Sequence, residues 1–219
     1  MKQVGTFIRN HLHGLWIVAY LIFYLICFFY LEQIHTSDRT IIEMEVDDHL
    51  PFIEAFVIPY YMWFGYVAFA VILLILQNKK EYYKSCVFLV TGMTLFLLIS
   101  ALWPNGLLLR PRVMPRDNLF TDLLTVLYRV DTATNVWPSI HVYNSIGAHI
   151  AITRSAWGQK RALRIGSLIL CISIILSTML IKQHSVFDVV TALALAVVMY
   201  VFVYRPTVLH GRIRRLLVE

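Results

Sequence analysis

Six apolar runs, each near the length needed to cross a bilayer, constrain this sequence more than any other feature: residues 12–31, 56–76, 85–103, 136–152, 165–181 and 185–204. A hydrocarbon core of ~30 Å takes about 20 helical residues. Backbone inside lipid has no water to bond to, so a run of this length pairs its own N–H and C=O groups as a helix. The fourth run is the least apolar, with Ser139, His141, Asn144, Ser145 and His149, and fits a helix enclosed by the others. Composition agrees. The chain is 59% hydrophobic and 15% charged, where a soluble domain is about a quarter charged. The expected fold is all-α: a polytopic membrane protein, a six-transmembrane-helix bundle forming one domain over residues 1–219.

The charges orient the bundle. Net charge is +6 with a pI near 9.3, a balance that in a soluble protein would raise nucleic acid as a partner. Here the basic residues lie between apolar runs, so they report topology and no nucleic-acid partner is expected. With both termini cytoplasmic, the inner segments hold Lys2, Arg9, Lys79, Lys80, Lys84, Arg154, Lys160, Arg161, Arg164, Arg205, Arg212, Arg214 and Arg215. The outer side keeps Arg39, Arg110, Arg112, Arg116, Arg129 and Lys182. The first run has no small-residue cleavage site and reads as a retained helix. Cys27, Cys86 and Cys171 lie in apolar runs without ligand spacing, so neither a disulfide framework nor a metal site is expected. The longest outer loops are residues 32–55 and 104–135. The first carries Glu43, Glu45, Asp47 and Asp48 and reads as an amphipathic segment on the membrane surface.

Three polar clusters remain, and this topology puts all of them at the outer face. They run from Trp103 to Arg112, from Asn135 to His141, and from Lys182 to Asp188. Pro138 suits the first turn of a helix, placing Ser139 and His141 beside free backbone donors at the positive end of a helix dipole. The sixth helix starts at the same face with Lys182 at its tip. Two helix starts, Arg110 and Lys182 would converge on an anion, and phosphate fits best. His184 and Asp188 are four residues apart on one helical face. The carboxylate can accept the Nδ1–H and leave Nε2 free as a nucleophile, while His141 supplies a proton to a leaving alkoxide. His11, His13, His35, His49 and His210 read as interfacial, and His149 as bonded within the bundle.

These residues resemble the type 2 phosphatidic acid phosphatase (lipid phosphate phosphatase) superfamily, six-helix membrane enzymes with the motifs Lys-x6-Arg-Pro, Pro-Ser-Gly-His and Ser-Arg-x5-His-x3-Asp. Arg110-Pro111 matches the end of the first, Pro138-Ser139-Ile140-His141 the second, and His184-x3-Asp188 the third. The core motifs span residues 102–190. Trp103 stands in place of the first-motif lysine, Ile140 in place of the glycine, and Thr178 in place of the third-motif arginine. That pattern is more similar to the branch of inositol phosphorylceramide and sphingomyelin synthases with small bacterial relatives, which includes phosphotransferases.

The resemblance implies a phosphohistidine on His184, with Asp188 orienting its ring and His141 as acid and then base. Arg110, Lys182 and Ser139 would hold the phosphoryl oxygens. No metal and no cofactor is implied, since fixed positive groups can stabilise the charge. The expected substrate is a phospholipid or polyprenyl phosphate, met at the outer face of a bacterial cytoplasmic membrane. The alternatives are transfer of the phospho-headgroup to a second lipid alcohol, a lipid or anion transporter using the same pocket, and a structural membrane subunit.

Overall fold

The computed structural model describes residues 11–34 and 39–205. Among them are eight α-helices: α1 (Leu15–Ile34), α2 (Glu45–His49), α3 (Val57–Gln77), α4 (Lys79–Leu102), α5 (Leu119–Val130), α6 (Ile140–Arg154), α7 (Arg161–Leu180) and α8 (Val186–Tyr204). Five of these, α1, α3, α4, α7 and α8, are long and apolar enough to cross a membrane, α1 and α3 counted with the 3₁₀ turns that lead into them. The protein is therefore membrane-embedded and all-helical apart from two short paired segments. The cytoplasmic placement of both termini, with Lys2, Arg9, Arg212, Arg214 and Arg215, and the interfacial reading of His35 and His210, lie outside the described residues.

The fourth apolar run differs from expectation. Its helix begins at Ile140, not Val136, because Ser139 is the N-cap: its Oγ accepts the Val142 N–H at 3.3 Å. Pro138 thus precedes the cap instead of sitting in the first turn. At 15 residues α6 is about 22 Å long by the ordinary helical rise, short of a full hydrocarbon core. Its position explains how it persists. It packs against α3, α4, α7 and α8, and ten of its fifteen residues are buried, including His141, Asn144 and Ser145. Surrounding helices, rather than lipid, receive its polar side chains, and His149 Nδ1 pairs with Ser167 Oγ on α7 at 2.9 Å. The third run also starts earlier than expected, at Lys79, with Asn78 accepting the Glu81 N–H as its cap.

Close approach of α4 and α6 rests on small residues. A Cβ at Gly92 would strike the Tyr143 ring, and one at Gly147 would stand 2.7 Å from Leu89. Tyr143 cannot retreat, because its ring stacks on Phe88 at 4.5 Å and its hydroxyl donates to the Phe88 carbonyl at 2.9 Å. Such contacts are how helices associate in lipid, where dispersion rather than water release supplies the attraction.

The two loops expected on the outer side are tied to the bundle. Thr40–Ile41 pairs in parallel with Asn105–Gly106, and Asn105 Oδ1 accepts the N–H groups of Val136 and Trp137, both at 2.9 Å. Arg116 grips Glu54 through Nε and Nη2, each at 2.6 Å. The acidic segment expected on the membrane surface instead turns inward as α2, burying Asp47. Its Oδ1 accepts the Val186 N–H at 2.8 Å and its Oδ2 accepts the Ser185 hydroxyl at 2.6 Å. The start of α8 is therefore capped by a carboxylate from another part of the chain.

Replacing Gly92 with Val should force α4 from α6 and destabilise the fold by about 1–3 kcal/mol, the usual cost of overpacking. The measurement is the thermal unfolding midpoint in detergent micelles. An unchanged midpoint would show that Tyr143 does not set the helix spacing.

Candidate active site

Helix α7 ends in a turn that delivers the third polar cluster. The Gln183 N–H bonds the Thr178 carbonyl at 2.8 Å and the Lys182 N–H bonds that of Met179 at 3.0 Å, the two bonds of a Schellman C-cap. Lys182 occupies the left-handed position, φ 55°, usually taken by glycine. Thr178, at the position of the missing motif arginine, contributes its carbonyl to this turn and also accepts the His184 N–H at 3.0 Å. Immediately afterwards Ser185 caps α8, with Asp188 at the third helical position closing a capping box. That Ser-x-x-Asp spacing is a helix-start signal visible in the sequence, and it fixes Asp188 one turn beyond His184.

The histidines meet in the interior. His184 Nδ1 lies 3.3 Å from Asp188 Oδ2, and its Nε2 lies 3.3 Å from His141 Nδ1. All three side chains are buried. With Nδ1–H donating to the carboxylate, Nε2 carries the lone pair and accepts from His141. The His141 ring is further flanked by Trp63 at 4.4 Å and Tyr60 at 4.5 Å between centroids. No local spacing flags Tyr60, Trp63 or Asp131, while Gln183 lies within the third polar cluster without a motif role; the four come from three separate stretches of chain.

A cavity of about 170 Å³ reaches these histidines. Tyr24 and Phe28 of α1, Tyr60 and Trp63 of α3, Phe96 of α4, and Asp131 and Gln183 line it. Leu25, Phe29 and Phe64 also border it and are exposed on the outsides of α1 and α3. The mouth consequently opens sideways between α1 and α3, where these apolar side chains are exposed. Among the described residues no lysine or arginine borders this cavity.

The two cations expected at the phosphate face elsewhere. Lys182 Nζ donates to the carbonyls of Asp47 and Leu50 at 2.6 and 2.8 Å. Burial pulls its ammonium below the ordinary lysine range, with Asp47 and Asp48 opposing that. Arg110 Nη2 donates to the Asp131 carbonyl at 2.7 Å and to Gln183 Oε1, and its guanidinium lies 4.2 Å over the Tyr128 ring. Burial lowers its pKa, and neighbouring Asp131 opposes the shift. Burial likewise raises the Asp131 carboxyl, offset by its bond from Tyr60 and by Arg110. Ser139 is buried and caps α6, so it shapes the pocket floor through the helix start. The expected anion at the start of α8 is the protein's own Asp47. The Val142 N–H is taken by the Ser139 hydroxyl and the Tyr143 N–H by the Ser139 carbonyl, so the donors left for a phosphoryl group are the Ile140 and His141 N–H groups, which have no intrahelical acceptor, and the His141 ring.

Among the described residues no cluster of three or more His, Cys, Asp or Glu side chains is arranged to hold a metal ion. Comparison of the chain with protein-family models, with curated proteins and with solved structures gives no match.

If Lys182 is a structural strut, Lys182→Ala should lower the unfolding midpoint. Lys182→Gly should recover part of that loss, because glycine takes φ 55° without strain. Binding of a phosphate-bearing lipid, followed by titration of the purified variants, should be unchanged in Lys182→Gly. Weakened binding with an unaltered midpoint would return Lys182 to the phosphate site.

Proposed function

We propose that this chain is a lipid-phosphate phosphatase, acting on phosphatidate or a polyprenyl phosphate at the outer membrane face through a phosphohistidine. One observation carries the reading. A histidine oriented by a buried carboxylate on Nδ1 faces a second histidine with Nε2, at the inner end of a cavity open toward lipid. An anion carrier needs no oriented nucleophile, and a structural subunit needs no such cavity. The resemblance of the three motifs to the type 2 phosphatidic acid phosphatase superfamily supports the same chemistry. In this reading α6 completes a six-span bundle with both termini cytoplasmic.

The steps follow from the geometry. The substrate's phosphate separates the two imidazoles, and the His184 Nε2 lone pair forms a bond to phosphorus. The ester P–O bond breaks, its electron pair stays on the lipid oxygen, and a protonated His141 gives up Nδ1–H to that oxygen. Asp188 offsets the positive charge that develops on the His184 ring. Water then attacks the phosphohistidine, neutral His141 takes its proton, and the P–N electron pair returns to His184. The α6 amides and helix dipole stabilise the phosphoryl oxygens.

A second reading is favoured by the lining. An aromatic cavity facing lipid suits an alcohol-bearing lipid as the acceptor better than bulk water, which makes the enzyme a phosphotransferase. The two differ in the second step alone.

Purified protein in mixed micelles with phosphatidate or polyprenyl phosphate tests both. His184→Ala should cut turnover by roughly 1,000-fold or more, as expected for a lost nucleophile, and abolish radiolabel trapped on protein from a labelled phosphate. Wild-type turnover in that variant would sink the proposal. His141 must be protonated for the first step, so kcat should fall as pH rises through its pKa in the complex. Free phosphate as the product marks the phosphatase, and a new phospholipid appearing only with added lipid alcohol marks the transferase.

A further inference from the structure

Two side chains outside all three motif clusters complete the site. We infer that Tyr60 and Asp131 form a second positioning pair, which holds the Nδ1 edge of His141 and compensates the charge of its ring. The inference rests on the phosphohistidine reading above.

The contacts form one chain. The Tyr60 hydroxyl donates to Asp131 Oδ2 at 2.5 Å, and the same oxygen stands 3.5 Å from His141 Nδ1. Gln183 Nε2 donates to Asp131 Oδ2 at 3.3 Å and to the Tyr60 oxygen at 3.4 Å. Arg110 closes the far end, donating to Gln183 Oε1 and to the main-chain oxygens of Asp131 and Tyr128. The arginine that the motif suggests for phosphate binding therefore anchors the residues behind His141.

Chemistry requires such a device. A neutral imidazole that lost its Nδ1 proton would become an imidazolate, so the group that protonates the leaving oxygen must be an imidazolium. Burial opposes that charge. A Tyr60 oxygen whose own proton is committed to Asp131 can accept from His141 Nδ1–H, holding that hydrogen on the edge of the ring that also faces His184 Nε2, where the phosphate enters, while the carboxylate compensates the ring. The other ionisable groups around His141 are His184 in contact with it, Asp188 behind His184, Tyr24 across the cavity, and Arg110 behind Gln183. Glu32 lies farther back, bonded to Thr132 and Thr134. Asp131 is the carboxylate joined to His141 through a single hydroxyl. Tyr60 and Asp131 are positioning residues, since they act through His141.

Leaving-group dependence separates this role from a merely structural one. Full-length protein in micelles is given phosphatidate, whose alkoxide needs a proton, and an alkyl-chain 4-nitrophenyl phosphate, whose phenolate does not. Tyr60→Phe and Asp131→Asn should each lower kcat on phosphatidate by about 10- to 100-fold, the usual effect of losing a histidine's orienting partner. On the nitrophenyl ester the pre-steady-state release of nitrophenolate, which precedes the His141-assisted hydrolysis, should stay within about threefold of wild type in both, as expected where general acid catalysis contributes little. The alkaline limb of the phosphatidate kcat profile should move to lower pH in Asp131→Asn, because removing the carboxylate charge makes the imidazolium easier to deprotonate. The double variant should be no slower than Asp131→Asn, since members of one chain are not additive. If Asp131→Asn does not fold, Tyr60→Phe decides by the same comparison of substrates. Equal losses on both substrates, with the alkaline limb unmoved and His184→Ala inactive, would overturn this inference alone. Turnover surviving in His184→Ala would overturn the phosphohistidine reading and the inference with it.

Discussion

The buried carboxylate of Asp47 holds together the end of the bundle at which the two histidines lie. It accepts from Met44 N, Ser185 Oγ and Val186 N, so one side chain closes its own short helix and caps the start of α8. The carbonyls around it, those of Asp47 and Leu50, take the Lys182 ammonium. Lys182 in turn sits in the left-handed turn that places His184 two residues on. Each of these groups would carry an unpaid desolvation cost of about 1–3 kcal/mol if left without a partner in the interior. They are mutually satisfied, and the position of His184 follows from that satisfaction.

Lipid imposes the second constraint. A helix carrying Ser145, Asn144, His141 and His149 cannot face hydrocarbon, so five apolar helices, four of which pack against it, shield it and give its polar groups an interior. The enclosure is incomplete at one place. α1 packs chiefly on α4, and its Tyr24, Leu25, Phe28 and Phe29 border the aromatic cavity that reaches the two imidazoles. The arrangement that encloses α6 therefore also leaves a pocket with a largely apolar lining, where electrostatic interactions between fixed groups are stronger than in water.

Charge distribution at the site departs from a simple basic pocket. Arg110 and Lys182 both point into protein, one to the residues behind His141 and one to the loop over α8. Each stabilises a carbonyl-rich turn that carries a site residue. The positive potential that remains near the histidines comes from the start of α6.

Much of this was legible in the sequence. The apolar runs located all six long or central helices to within a few residues, because hydrocarbon tolerates no other backbone arrangement. The His-x-x-x-Asp spacing placed His184 against Asp188, because four residues make about one helical turn. What the sequence could not determine by itself was which way the long cations turn, since Lys and Arg side chains reach whichever carbonyls the packed loops present. Nor could it bring Tyr60, Asp131 and Gln183 to His141, or Asp47 to Ser185, for those residues lie on different elements and meet only when the helices pack. That the chain is a helical membrane protein carrying three polar clusters was a matter of local periodicity and hydropathy. The wiring among those clusters was decided by tertiary structure, because buried polar groups choose their partners by proximity in space.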